Sequence, residues 1–214
     1  MALSKAREPA AIFSNIYRKK IWSHSDADRV DFYSGIGSTE EYTHDYERTI
    51  GQFVEKNKIR TIVDLGCGDF QVGRRILDIV DCQYIGVDVV AELIERNSRK
   101  FGSGRVSFIC KDISRDELPD GDLCLIRQVL QHLDNKTIAR VLNNVRKYPF
   151  CILTESQHVH PSVANLDIRS GAWTRASFGS GLYFDQPPFS RNVKTLLKVH
   201  RDAENVIHTG LLMP

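Results

Sequence analysis

Val63-Asp64-Leu65-Gly66-Cys67-Gly68-Asp69-Phe70 decides the fold. Thr61-Ile62-Val63-Asp64-Leu65 is short, β-branched and apolar, and reads as a strand. Two glycines separated by one residue then permit a tight turn and close backbone approach to a ligand, ahead of a helix. Val72, Ile76, Leu77 and Val80 form the inner face of that helix. A second strand, Tyr84 to Asp88, ends in an acid 20 residues beyond Gly68, the spacing used to hold a ribose hydroxyl pair. The full G-x-G-x-x-G pattern is broken, since position 71 is Gln71 and Gly73 comes too late, which argues against a nicotinamide dehydrogenase. Asp64, inside the strand, would sit awkwardly beside a pyrophosphate and suits a ligand with an amino group.

Downstream, the chain keeps alternating. A helix carries Leu93 and Ile94; strands follow at 106–110 and 122–126; a helix carries Ile138, Val141, Leu142 and Val145; a fifth strand covers 150–154. Strand, helix, strand in repetition implies parallel pairing through right-handed crossovers and a sheet covered on both faces. Apolar runs at 193–199 and 206–213 read as late strands completing it. Upstream, the first forty or so residues read as irregular. Ser38 with Glu41 reads as a capping box, and Tyr42, Tyr46, Ile50, Phe53 and Val54 as one face of the helix it opens.

The chain has 214 residues and 42% hydrophobic side chains, enough for one sizeable core. A charged fraction of 26% and a net charge of +2 show no basic stripe that would announce a nucleic-acid partner. The longest apolar runs are strand-sized, so no membrane span is expected, and the N-terminus lacks a secretory signal. Five scattered cysteines without a Cys-x-x-Cys pair suggest neither zinc nor a disulfide framework, and a cytoplasmic setting is the plain reading. No histidine pattern suggests a metal.

VDLGCGDF resembles the first motif of class I S-adenosylmethionine-dependent methyltransferases of small bacterial type, and YIGVDVV their second. Lys111-Asp112-Ile113 is similar to the adenine-binding segment, and DLCLIRQVLQHLDN to the fourth-strand motif and following helix. The order and spacing match over about residues 58–156. The resemblance implies a Rossmann-like three-layer αβα sandwich, with a mostly parallel seven-stranded sheet whose last strand is antiparallel. A single domain, 1–214, would comprise an N-terminal cover (1–57), a cofactor-binding core (58–156), an acceptor-binding insertion (157–190) and closing strands (191–214).

The same resemblance assigns cofactor roles. Gly66 and Gly68 would pass under the methionine part of S-adenosylmethionine, with Asp64 near its amino group. Asp88 would accept from both ribose hydroxyls while Val89 packs on the adenine. Asp112 would take the adenine amino group, and the Ile113 amide would meet the ring. Arg127 and Gln128 would line the cofactor near the sulfonium. For Asp64 and Asp112 a plain capping role remains open. Tyr33-Ser34-Gly35-Ile36-Gly37-Ser38 also resembles a segment before the core of some small bacterial methyltransferases. Backbone N–H groups around Gly35 would suit the cofactor's carboxylate, and a simple loop is the alternative.

His132 and Glu155, beside the ends of the fourth and fifth strands, are the candidates for managing a proton, each with a structural alternative. Arg169, Arg175 and Tyr183 lie in the long loop where an acceptor wall or lid is expected. The acceptor is read as a small molecule or glycan-like compound, methylated on oxygen or nitrogen. A non-catalytic cofactor-binding or scaffold subunit of the same fold is the alternative. The sequence says nothing of oligomeric state.

Overall fold

The structure, a computed structural model, describes residues 9–23 and 32–213. Expectations touching residues 1–8 and 24–31 lie outside them. One sheet holds seven strands: β1 (Thr61–Leu65), β2 (Gln83–Asp88), β3 (Val106–Cys110), β4 (Leu123–Arg127), β5 (Phe150–His158), β6 (Val193–His200) and β7 (Asn205–Leu212). Their order is β3-β2-β1-β4-β5-β7-β6. The first five run parallel to one another, and β7 is antiparallel to both β5 and β6. The mostly parallel sheet with an antiparallel last strand is therefore observed. The order reverses between β1 and β4, which opens a crevice beyond their carboxyl ends.

Both faces are buried, which is why these strands read as near-continuous apolar runs. Ile62, Leu123, Leu125 and Ile152 pack with Ile50 and Val54 of α2 (Glu40–Asn57) and with Ile76 and Leu77 of α3 (Gln71–Leu77). Val63, Leu65, Cys124, Ile126 and Leu153 pack on the other face with Ile138, Val141 and Leu142 of α5 (Asn135–Asn144). The remaining crossover helix is α4 (Ala91–Phe101), which buries Leu93 and Ile94. No helix among the described residues is long and apolar enough to cross a membrane.

Three readings need correction. The N-terminal stretch is not irregular throughout: Pro9–Arg18 forms a helix, α1. Pro9 begins it, where a missing N–H costs nothing, and Ile16 is buried from its inner face. The capping box does not form. Ser38 closes a 3-10 turn (Ile36–Ser38) and its hydroxyl donates to Gly35 O at 2.7 Å. Thr39 occupies the N-cap of α2 without a side-chain cap bond. Lastly, β5 runs past Thr154 to His158 because β7 supplies a ladder as far as the His158–Asn205 pair.

The segment between β5 and β6 lacks long elements but is firmly packed. Leu182, Phe184 and Phe189 enter the core. Asn165 donates to Tyr183 O and Pro187 O, both at 2.8 Å, and accepts from Tyr183 N at 2.8 Å.

Candidate cofactor and acceptor cleft

At the reversal of strand order lies a cleft of about 280 Å³. It gathers Gly35, Asp64, Gly66, Gly68, Asp88, Val89, Asp112, Ile113, Arg127 and Gln128 on its walls, together with His132. The glycine turn forms its floor. Gly66 (φ 83°) and Gly68 (φ 53°) adopt left-handed backbone, which a side chain would strain. A Cβ on Gly66 would come within 2.3 Å of Val129, and one on Gly68 within 2.4 Å of the Ser34 hydroxyl. Gly66 N and Cys67 N donate to Val87 O at 2.7 and 3.0 Å, tying the turn to β2.

Asp88 ends β2 and is 8% exposed. One carboxylate oxygen accepts Gly68 N–H at 3.2 Å and the other Val90 N–H at 3.1 Å. Burial raises its pKa, while these amide donors pull it back. The geometry fixes both oxygens at the lip of the glycine turn, with lone pairs to spare for a diol.

Asp64 faces the α2–α3 side, where Tyr84 OH donates to its Oδ2 at 2.5 Å. Burial lifts its carboxyl to about 6, offset by the Tyr84 bond and the Arg127 charge. It is not a cap. Tyr84 reaches it because Gly73 in α3 leaves room: a Cβ there would stand 2.3 Å from the Tyr84 hydroxyl. Gly73 was set aside in the sequence as too late for a dinucleotide turn, yet it allows the close helix–strand approach.

Arg127 ends β4 against the Tyr46 ring (5.2 Å) and donates from Nη2 to Tyr42 O at 3.3 Å. Its Nε is buried without a hydrogen-bond partner. Five such atoms occur among the described residues, and those of Arg127, Gln131 and His132 belong to side chains lining this cleft. Unpaired buried polar atoms are rare, and three of the five belong to side chains of this cleft. Gln128 has a left-handed backbone (φ 58°), one of seven non-glycine residues with positive φ among those described. Its side chain donates to Ser156 Oγ at 3.1 Å.

For Asp112 the capping alternative is realised in part. Oδ1 accepts from Ser114 N and Oγ at 2.9 and 2.7 Å, and Oδ2 lies 3.8 Å from Arg115 Nε. Residues 34–37 form the roof. Ser34 N donates to Asp69 Oδ2 at 3.2 Å and Asp69 N to Ser34 Oγ at 2.8 Å, docking the roof onto the glycine turn.

The other end of the cleft is aromatic. The His132 ring lies 5.1 Å from Trp22 and 6.4 Å from Phe13, centroid to centroid, and Tyr17 packs edge-on against Trp22 at 5.3 Å. Burial pulls the imidazole down to about 4, and the backbone of Trp173, Gly171 and Ala172 resists that fall slightly. Sequence reasoning missed this wall. The signal was present as Phe13 and Tyr17, four apart on one helix face.

Four expectations do not survive in their original form. Glu155 points away from the cleft and beneath the 3-10 turn Leu130–His132, accepting N–H groups of Val129, Leu130 and Gln131 at 3.1, 2.8 and 3.2 Å. It is a positioning residue. Arg175 is fully buried and clamps the same turn from its carbonyl side, at Gln131 O (3.2 Å) and Leu133 O (2.8 Å), and also holds Leu166 O at 2.8 Å. A guanidinium so committed cannot greet a ligand. Arg169 is exposed and off the cleft walls. The Tyr183 hydroxyl donates to His158 O, beside a separate hollow under β6 and β7. From the loop, Ala172 and Thr174 reach the cleft instead.

Residues 62–148 match the profile of a family described as "Methyltransferase domain". No curated protein matches the chain. Among solved structures, human N-acetylserotonin methyltransferase, in complex with SAM, aligns at 15% identity and TM-score 0.60, over 95% of this chain and 59% of that one. The N-methyltransferase NodS from Bradyrhizobium japonicum, in complex with S-adenosyl-L-homocysteine, aligns at 12% identity and TM-score 0.64, over 94% and 100%. Magnesium protoporphyrin IX methyltransferase from Synechocystis, with bound SAH, aligns at 11% and 0.57, over 94% and 98%. The chain thus spans about three-fifths of the human enzyme and essentially all of the NodS length. At these identities the likeness is one of fold. The chain shares the fold of these methyltransferases, and its match to the methyltransferase-domain profile lies within residues 62–148.

Proposed function

We propose that this protein transfers a methyl group from S-adenosylmethionine to the oxygen or nitrogen of a small acceptor in the cleft. The observation that carries the reading is Asp88, held by two backbone amides at the lip of the glycine turn. The donor set fits the cofactor along its length. Asp88 would accept from both ribose hydroxyls, and Val89 and Ile113 would sandwich the adenine. Asp112 keeps Oδ2 for the adenine amino group. Asp64 would face the ammonium. The Arg127 guanidinium and the amides near Gly35 would serve the carboxylate.

When bound, the cofactor supplies a methyl group activated on a sulfonium, with a neutral thioether as leaving group. What remains for the protein is alignment, exclusion of water and one proton. Phe13, Tyr17 and Trp22 close the acceptor end with apolar surface. His132, neutral at physiological pH because burial holds it near 4, offers an imidazole as hydrogen-bond acceptor to the substrate's O–H or N–H. Glu155 and Arg175 hold the turn that carries it.

Isothermal titration with S-adenosylhomocysteine tests the donor half. Asp88→Ala removes charge-assisted bonds worth roughly 1.5–3 kcal/mol each, so affinity should fall on the order of 100-fold. Unchanged binding would remove the main support. Binding without turnover across a broad acceptor panel would favour the non-catalytic alternative.

A further inference from the structure

The reading above leaves the acceptor unnamed, and the aromatic end of the cleft has properties that narrow it. Phe13 and Trp22 stand against His132, and Tyr17 packs on Trp22 with its hydroxyl toward the glycine turn, 3.6 Å from where a Cβ on Gly68 would lie. Their polar tips are already engaged within the protein. Tyr17 OH pairs with Ser34 Oγ at 3.1 Å, Trp22 Nε1 donates to Ala172 O at 3.3 Å, and Thr137 Oγ1 donates to Asp134 Oδ2 at 2.9 Å. Two buried polar atoms here lack a partner at hydrogen-bonding distance, Gln131 Oε1 and His132 Nδ1.

Among the described residues the charge nearest these rings is Asp69, whose carboxylate takes the Ser34 N–H at 3.2 Å beside the Tyr17 hydroxyl, and no cation among them lines this end. The cations of the cleft lie elsewhere: Lys111 follows β3 beside Asp112, Arg127 rests on Tyr46, and Arg201 stacks over Tyr42 at 4.8 Å. Arg175 is spent on backbone carbonyls. A phosphate or carboxylate on the acceptor would find no counter-charge among the described residues lining this end. A sugar would bring several hydroxyls to a wall with few free partners, and each one left unpaired costs roughly tenfold or more in affinity. A flat ring loses none of this and gains face and edge contacts with the surrounding rings.

We infer that the acceptor is a neutral, planar aromatic alcohol or amine, laid against Trp22 and Phe13 with its O–H or N–H directed to His132. This rests on the methyltransferase reading and goes beyond it by choosing an aromatic over a glycan. In the reaction the O–CH₃ or N–CH₃ bond forms as the S–CH₃ bond breaks. The electron pair of the broken bond stays on sulfur, and the acceptor's proton passes to the imidazole and on to solvent.

The test uses the full-length protein saturated with S-adenosylhomocysteine, with 1-naphthol, 2-naphthylamine and methyl β-glucopyranoside as probes in titration calorimetry. A naphthyl probe should bind and the glucoside should not. Trp22→Leu and Phe13→Leu should each weaken that binding roughly tenfold while S-adenosylhomocysteine affinity stays within about threefold. With S-adenosylmethionine, mass spectrometry should show the singly methylated naphthyl product. Glucoside binding without naphthyl binding overturns the inference, as does full naphthyl affinity in both variants, or cofactor binding with no naphthyl binding at all. Failure of the wild-type protein to bind S-adenosylhomocysteine overturns the methyltransferase reading, and this inference with it.

Discussion

Asp64 shows how one buried carboxylate converts position into pH dependence. Burial in the α2–α3 face raises it to about 6 even though Tyr84 donates to it and Arg127 lies near. Above that pH the free protein would present an anion to the ammonium in the binding mode proposed above. As pH falls through 6 the carboxyl takes a proton and the attraction is lost. The affinity for S-adenosylhomocysteine should therefore decline between pH 7 and pH 5, approaching tenfold per unit below the pKa. Asp64→Asn should bind more weakly at pH 7 and show a flatter profile over the same range. A wild-type profile as flat as the variant's would remove Asp64 from the ammonium site. The sequence placed this acid correctly at the end of β1, but its titration range depends on Tyr84, which only the sheet register and Gly73 bring to it.

Elements explain what was legible and what was not. β1 and β4 were readable because a strand buried on both faces leaves an unbroken apolar signature. The glycine turn and Asp88 were readable because their spacing is local. Helix α1 escaped although Phe13, Ile16 and Tyr17 stand at helical spacing, because its apolar face acquires meaning only against Trp22 and His132. Glu155 and Arg175 were misread for a related reason: both charges are spent on the backbone of one short turn, and backbone partners leave no mark in a sequence. Glu155→Gln tests that account. Burial raises the Glu155 carboxyl to about 7, above its ordinary value near 4.3. The folded state then holds more protons than the unfolded state between about pH 4.5 and 7, so this group's contribution to stability is lost as pH rises through that window. Relative to Glu155→Gln, the wild type should lose on the order of 3 kcal/mol at most across it, read as several °C in melting temperature. Turnover should persist in the variant, since its carboxylate does not open to the cleft. A collapse of kcat with an unchanged melting temperature would restore Glu155 as a catalytic group.

At the scale of the whole molecule, the cleft is assembled from segments far apart in the chain. Tyr17 bonds to Ser34, Ser34 to Asp69, Asp88 to Gly68, and Arg127 to Tyr42. Arg201, on the β6–β7 turn, stacks over Tyr42. A ligand that fills this cleft touches α1, the roof, three strand ends and the turn after β4 at once, so it binds the folded state and has no site on the unfolded chain. Stability must then rise with ligand by mass action, about 2.7 kcal/mol at a concentration 100 times Kd. For a domain of this size that is a rise of about 5–10 °C in melting temperature. S-adenosylhomocysteine should produce it in scanning fluorimetry, and adenosine should produce a smaller shift at equal concentration because it has no ammonium or carboxylate to offer Asp64 and Arg127. Asp88→Ala should show almost no shift with either ligand, since the diol contact is common to both. Equal shifts with the two ligands would mean that the methionine half of the cleft, with Asp64 and Arg127, contributes nothing to binding.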